Sequence, residues 1–78
     1  MTKKKINVHE GKNLILEKIE LELDSNLPDI RKKLENEIKF DYIFLNEDEE
    51  EIKKEEESEI KLSEILDGKN LHLKKSNI

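Results

Sequence analysis

Phe40-Asp41-Tyr42-Ile43-Phe44-Leu45 is the stretch that decides the fold. It is aromatic and β-branched, a composition that fits the pleated, half-buried surface of a sheet. Side chains alternate between the faces of a strand, and Asp41 marks the wet side. Phe40, Tyr42 and Phe44 therefore point inward, and Ile43 and Leu45 point outward.

What precedes this strand reads as a helix built to cover it. Asp24, Ser25 and Asn26 form a helix-start cluster, and Asn26 with Asp29 three residues on is a variant of the capping box. Pro28 is tolerated in the first turn, where its missing N–H has no partner in any case. Leu27, Ile30, Leu34 and Ile38 recur at i+3 and i+4 and make one apolar stripe. Arg31, Lys32, Lys33 and Glu35 cover the opposite side.

Further upstream, Ile6 and Val8 alternate with Asn7 and His9, the period of a short first strand. Glu10-Gly11-Lys12-Asn13 supplies the residues a hairpin turn needs, with the reversal at Gly11. In the returning strand Ile19, Leu21 and Leu23 share one face, while Lys18, Glu20 and Glu22 share the other. Leu14 and Leu16 are out of phase with that set. Either a bulge near Glu17 restores the register, or Leu14 and Leu16 belong to a different strand; the residues fit both.

Downstream, residues 46–51 (NEDEEE) form an acidic turn, and Ile52 fits a one- or two-residue edge strand. Residues 53–59 read as a polar loop of low complexity. Leu62, Ile65 and Leu66 fit a short helix ending at Gly68, a usual C-terminal cap. Leu71 and Leu73, alternating with His72 and Lys74, complete a last strand.

A chain of 78 residues forms one domain with one core. It has no Cys, so neither a disulfide nor a thiolate metal site holds it together. Charged residues make up 45% and hydrophobic residues 33%, close to the regime in which burial cannot offset chain entropy. The regular spacing of the Ile and Leu residues argues for folding all the same.

No apolar run approaches the ~20 residues that cross a bilayer, and Lys3, Lys4 and Lys5 lead into no signal sequence. The expectation is a cytoplasmic protein with no membrane role. The net charge of -5 is uneven, with six basic against twelve acidic residues from position 40 onward. Nucleic acid is not an expected partner, because no basic stripe offsets that acidity.

The order strand, Gly turn, strand, long helix, strand, acidic turn, short helix, strand resembles the ubiquitin-like β-grasp superfamily over about Lys5 to Lys75. Tyr42-Ile43-Phe44 is similar to the family's third strand, and Leu62-Ser63-Glu64-Ile65-Leu66 to its Thr-Leu-Ser-Asp helical turn. Asn70-Leu71-His72-Leu73 resembles its last strand. The resemblance implies an α+β fold: a mixed four- to five-stranded sheet packed on one long helix, with a second short helix, as one domain over 1–78.

It also implies a non-catalytic protein-protein interaction module, adaptor or regulatory in role, whose partner grips the outer sheet face. Ile43 and His72 would lie side by side there, with Leu45 extending the patch. Lys74 departs from the family pattern, which has an apolar residue at that place.

Three other members of the superfamily are alternatives. Ras-association domains would use Lys18, Arg31, Lys32 and Lys33 against a small GTPase, but Glu20 and Glu22 give the strand the wrong charge. Phox/Bem domains assemble head to tail, which would join Lys4 or Lys5 to the acidic turn. The Asp-Gly-Asp core of that motif is missing, and the net charge favours a monomer. A conjugated modifier would need a Gly-Gly terminus, whereas this chain ends Lys74-Lys75-Ser76-Asn77-Ile78.

Catalysis would need a base beside a nucleophile, or paired carboxylates in a pocket. The chain offers two His, no Cys and carboxylates in solvent-facing runs, so no enzyme and no cofactor is expected. His9 and His72 read as surface histidines. The acidic turn lacks the Gly of a Ca²⁺-binding loop, so no metal is expected there.

Overall fold

The computed structural model describes residues 2–76. The end of the chain used in the conjugation argument, Asn77-Ile78, lies outside them. Four strands form one mixed sheet: β1 (Lys3–Glu10), β2 (Asn13–Glu22), β3 (Tyr42–Phe44) and β4 (Asn70–Lys75), in the order β2-β1-β4-β3. β1 runs antiparallel to β2 and parallel to β4, and β3 runs antiparallel to β4. The first and last strands are thus neighbours at the centre. This arrangement is compatible with a β-grasp fold.

The β1–β2 hairpin turns on Gly11 and Lys12, with Glu10 opposite Asn13. Gly11 has φ +61° and is the only left-handed residue of the two, as in a type II′ turn. The register slips twice along the hairpin. One slip leaves three β2 steps, Leu16 to Ile19, opposite two β1 steps, Val8 to Ile6. Of the two arrangements that fit the residues, the chain adopts the bulge near Glu17, within a single strand. Lys18 carries it at φ +55°, and its N–H is held by Asn7 Oδ1 at 2.9 Å.

The helix α1 (Leu27–Leu34) buries Leu27, Ile30 and Leu34 against the sheet, as the stripe requires, but it has eight residues. The expectation of one long helix is corrected. Asn36 is a poor helix former, and Glu35 and Glu37 oppose the negative end of the helix dipole. One further turn, closed by Ile38 N–H on Leu34 O at 2.8 Å, still delivers Ile38 to the core. The expected capping box is also absent: Asn26 is the N-cap residue but makes no side-chain cap.

Residues 53–59, expected as a loop, contain a 3-10 helix at Lys54–Glu59. The expected short helix is a second 3-10 turn, Leu62–Glu64, started by Lys61 N–H on Glu64 Oε2 at 2.8 Å. Gly68 (φ +62°) is not its cap. It sits in the turn where Asp67 and Asn70 exchange backbone hydrogen bonds. Leu62, Ile65 and Ile52 join Ile6, Val8, Leu21, Phe44, Leu71 and Leu73 in the core. Among the described residues no helix is long and apolar enough to cross a membrane.

Candidate functional site

The hydrogen-bond registers align one transverse row across the outer sheet face. Leu14 on β2 is opposite His9 on β1, and His9 is opposite His72 on β4. Leu45, just past β3, donates its N–H to His72 O at 3.0 Å and completes the row. Ile43 lies opposite Lys74 in the neighbouring position. The expected group of Ile43, Leu45, His72 and Lys74 is therefore brought together by the pairing of β3 with β4.

Burial changes what each of them presents. Ile43 and His72 are half-buried, and Lys74 is exposed and ion-paired to Glu51 at 2.7 Å. Leu45, expected to face outward into solvent, is only 7% exposed. The chain folds back over it, with Glu51 bridging to Leu45 and Ile52 N–H bonded to Phe44 O. Leu45 backs the patch; its exposed surface is small. The exposed apolar residue of the row is Leu14, at the opposite edge of the sheet. At 47% exposure it is the large hydrophobic residue left in solvent among the described residues. A second register slip, between the pairs Val8–Leu16 and His9–Leu14, turns it to the outer face while Leu16 stays packed on the core, and the sequence carried no signal for that slip.

His9 and His72 sit at the centre of the row, with ring centroids 5.5 Å apart. His9 Nε2 is 2.9 Å from Asn70 Oδ1, and His72 Nε2 is 3.5 Å from Asp67 Oδ2. The face therefore combines apolar ends with polar, partly shielded rings.

The alternative set, Lys18, Arg31, Lys32 and Lys33, does not converge. Lys32 and Lys33 are exposed on α1, and Lys18 lies on the bulge of β2. Arg31 is half-buried and turned onto its neighbours. Its guanidinium grips Glu57 through Nε to Oε1 at 2.7 Å and Nη2 to Oε2 at 2.8 Å, and also donates to Tyr42 O at 3.0 Å. It lies 4.7 Å from the Tyr42 ring centroid and 4.9 Å from that of Phe44. The hydrogen bond to Glu57 raises the Arg31 pKa further above its ordinary value. Burial raises the Tyr42 phenol likewise, with the Arg31 charge opposing. This pair forms one wall of a cavity of about 390 Å³ beside β3, whose lining also includes Ile43, Ile52, Lys53 and Lys54. Its lining carries three cations, Arg31, Lys53 and Lys54, and three carboxylates, Asp41, Glu51 and Glu57.

The acidic turn is compact although it contains no Gly. Glu49 takes the left-handed conformation itself (φ +63°), and Asn46 Oδ1 accepts the N–H groups of Asp48 and Glu50, each at 2.9 Å. The turn therefore closes without Gly, and the missing Asp-Gly-Asp core and the net charge stand against head-to-tail assembly. Among the described residues no group of three or more His, Cys, Asp or Glu is placed to hold a metal ion.

No protein-family model, no curated protein and no solved structure matches the chain.

Proposed function

We propose that the chain is a non-catalytic protein-protein interaction module of ubiquitin-like, β-grasp architecture, whose outer sheet face is the docking surface. The observation that carries the reading is the row Leu14, His9, His72, Leu45 with Ile43 beside it, laid across the sheet from β2 to the residue just past β3 by the strand pairing. A sheet covered by its helix on one face has no further folding use for an exposed Leu on the other. Scattered exposed aliphatics are ordinary, but apolar residues aligned with aromatic rings across a rigid sheet make the kind of centre that interfaces use. Lys74 paired with Glu51 supplies part of a polar rim.

The partner is another protein, met in the cytoplasm by a monomer, and the module acts as an adaptor or regulatory element. The GTPase-effector reading is weakened because Arg31, the one guanidinium, is committed to Glu57. The test is affinity capture with the parent, Ile43→Asp, and Lys33→Asp as a control on the helix side. The reading expects Ile43→Asp to lose the partners that parent and control share, with its amide spectrum still folded. Equal capture by all three proteins would defeat it.

A further inference from the structure

We propose that the partner of the outer sheet face presents a basic amphipathic helix, with a stripe of apolar side chains for the row of Leu14, His9, His72 and Ile43 and with Lys or Arg at the end that lies over the acidic turn. The inference rests on the docking reading and adds the chemistry of the partner to it.

The charge comes from the turn. Residues 47–51 are five carboxylates in succession, and all five residues are exposed. The fold fixes their place beside the row: Glu51 bridges to Leu45, and Asn46 N–H bonds Glu50 O at 2.9 Å. Of the five, Glu51 alone is in an ion pair among the described residues, with Lys74; the remaining pairs there are Arg31–Glu57 and His72–Asp67. The other four carboxylates are thus held at one end of the row without a countercharge. Away from the turn the face is close to neutral, because Lys5 is in register with Glu20 and Lys3 with Glu22. A segment that covers the row meets an excess of negative potential at one end, and Lys or Arg there steers it into place.

The helical form follows from the surface being a face and not an edge. Backbone N–H and C=O groups lie in the plane of a sheet, so a segment laid flat on it finds none of them to bond. An extended segment buried there leaves its own backbone groups unpaired, whereas a helix satisfies its own. The row crosses three gaps between neighbouring strands, roughly 14 Å at about 4.8 Å each. A helix rises about 1.5 Å per residue, so apolar side chains at i, i+4 and i+7 cover roughly 10 Å of the row, and the turn beyond them reaches the carboxylates.

The test adds three synthetic helical peptides to the intact chain and follows its amide resonances. One carries the apolar stripe with Lys and Arg at one end, one carries the same stripe with Glu in their place, and one has the composition of the first with the stripe scrambled. The basic striped peptide is expected to bind most tightly and to move Leu14, His9, Ile43 and His72 together with residues 47–51. Its affinity should fall with salt, and by about tenfold in the triple variant Glu47→Gln, Asp48→Asn, Glu49→Gln. The turn is closed by the side chains of Asn46 and Glu50 and by backbone groups, so that variant keeps its fold. Equal or tighter binding of the Glu peptide at the same sheet residues overturns the inference and leaves the docking reading standing. Unchanged affinity in the triple variant overturns it in the same way. Shifts confined to residues 47–51 for both basic peptides, or binding by none of the three, also overturn it. Striped peptides that move α1 and leave the sheet unmoved overturn the docking reading as well.

Discussion

Replacing Arg31 with Met should cost more stability than replacing Glu57 with Gln, and the reason is which partner is dry. The Glu57 side chain is 3% exposed and that of Arg31 is 27% exposed. Removing Arg31 strands a carboxylate in the interior and also removes the donor to Tyr42 O and the cation over two rings. Breaking a buried pair in this way costs about 3–5 kcal/mol. Glu57→Gln leaves a guanidinium that still reaches water, Tyr42 O and the amide oxygen, at a cost of about 1–3 kcal/mol. A domain of this size has a total stability of roughly 4–12 kcal/mol, so Arg31→Met should remove a large share of it. Urea unfolding followed by circular dichroism measures both, with the slope m unchanged. The double variant Arg31→Met with Glu57→Leu should recover much of the loss, because nothing charged is then left buried. The reasoning is refuted if Arg31→Met costs less than Glu57→Gln, or if the double variant is no better than Arg31→Met.

Leu34→Asp puts an unpaired charge at a fully buried position of α1 and should abolish cooperative melting, a loss of several kcal/mol; a dispersed amide spectrum would contradict it. Lys18→Gly should stabilise by about 0.5–1 kcal/mol, since glycine takes the left-handed bulge conformation without a Cβ penalty; thermal melts of parent and variant give the sign. Burial raises the Tyr42 pKa in the folded state, so the unfolded chain loses its phenolic proton first as alkali is added. Its contribution to stability is therefore intact below the ordinary tyrosine pKa of ~10 and is lost as pH rises toward the folded value. Tyr42 is the only Tyr, so ultraviolet titration of the phenolate reads it directly, and Tyr42→Phe should remove that alkaline dependence.

The parts of the fold legible in the sequence are those set by local period and turn chemistry. The strand around Tyr42-Ile43-Phe44, the Gly11 reversal and the stripe Leu27, Ile30, Leu34 all follow from spacing, whereas the bulge near Glu17 was one of two arrangements that the spacing allowed. Helix length was not legible, because Ile38 continues the stripe of Leu34 whether or not the intervening residues are helical. Glu57 was hidden among the four glutamates of one 3-10 segment, where composition cannot say which of them turns inward. Its partner left a trace: Arg31 is the single Arg of a chain otherwise rich in Lys, and a planar fork is what a buried carboxylate needs. At the site, the meeting of Ile43, His72 and Lys74 could be read from strand order alone. The burial of Leu45 could not, because it depends on the acidic turn folding back through Glu51.

The most direct measurement of the docking claim is an amide spectrum of the labelled domain recorded with a purified partner obtained by capture. The account predicts perturbations at Leu14, His9, Ile43, His72 and Lys74, with α1 unaffected. Perturbations centred on Lys32, Lys33 and the first turn of α1, with the sheet residues unmoved, would contradict it.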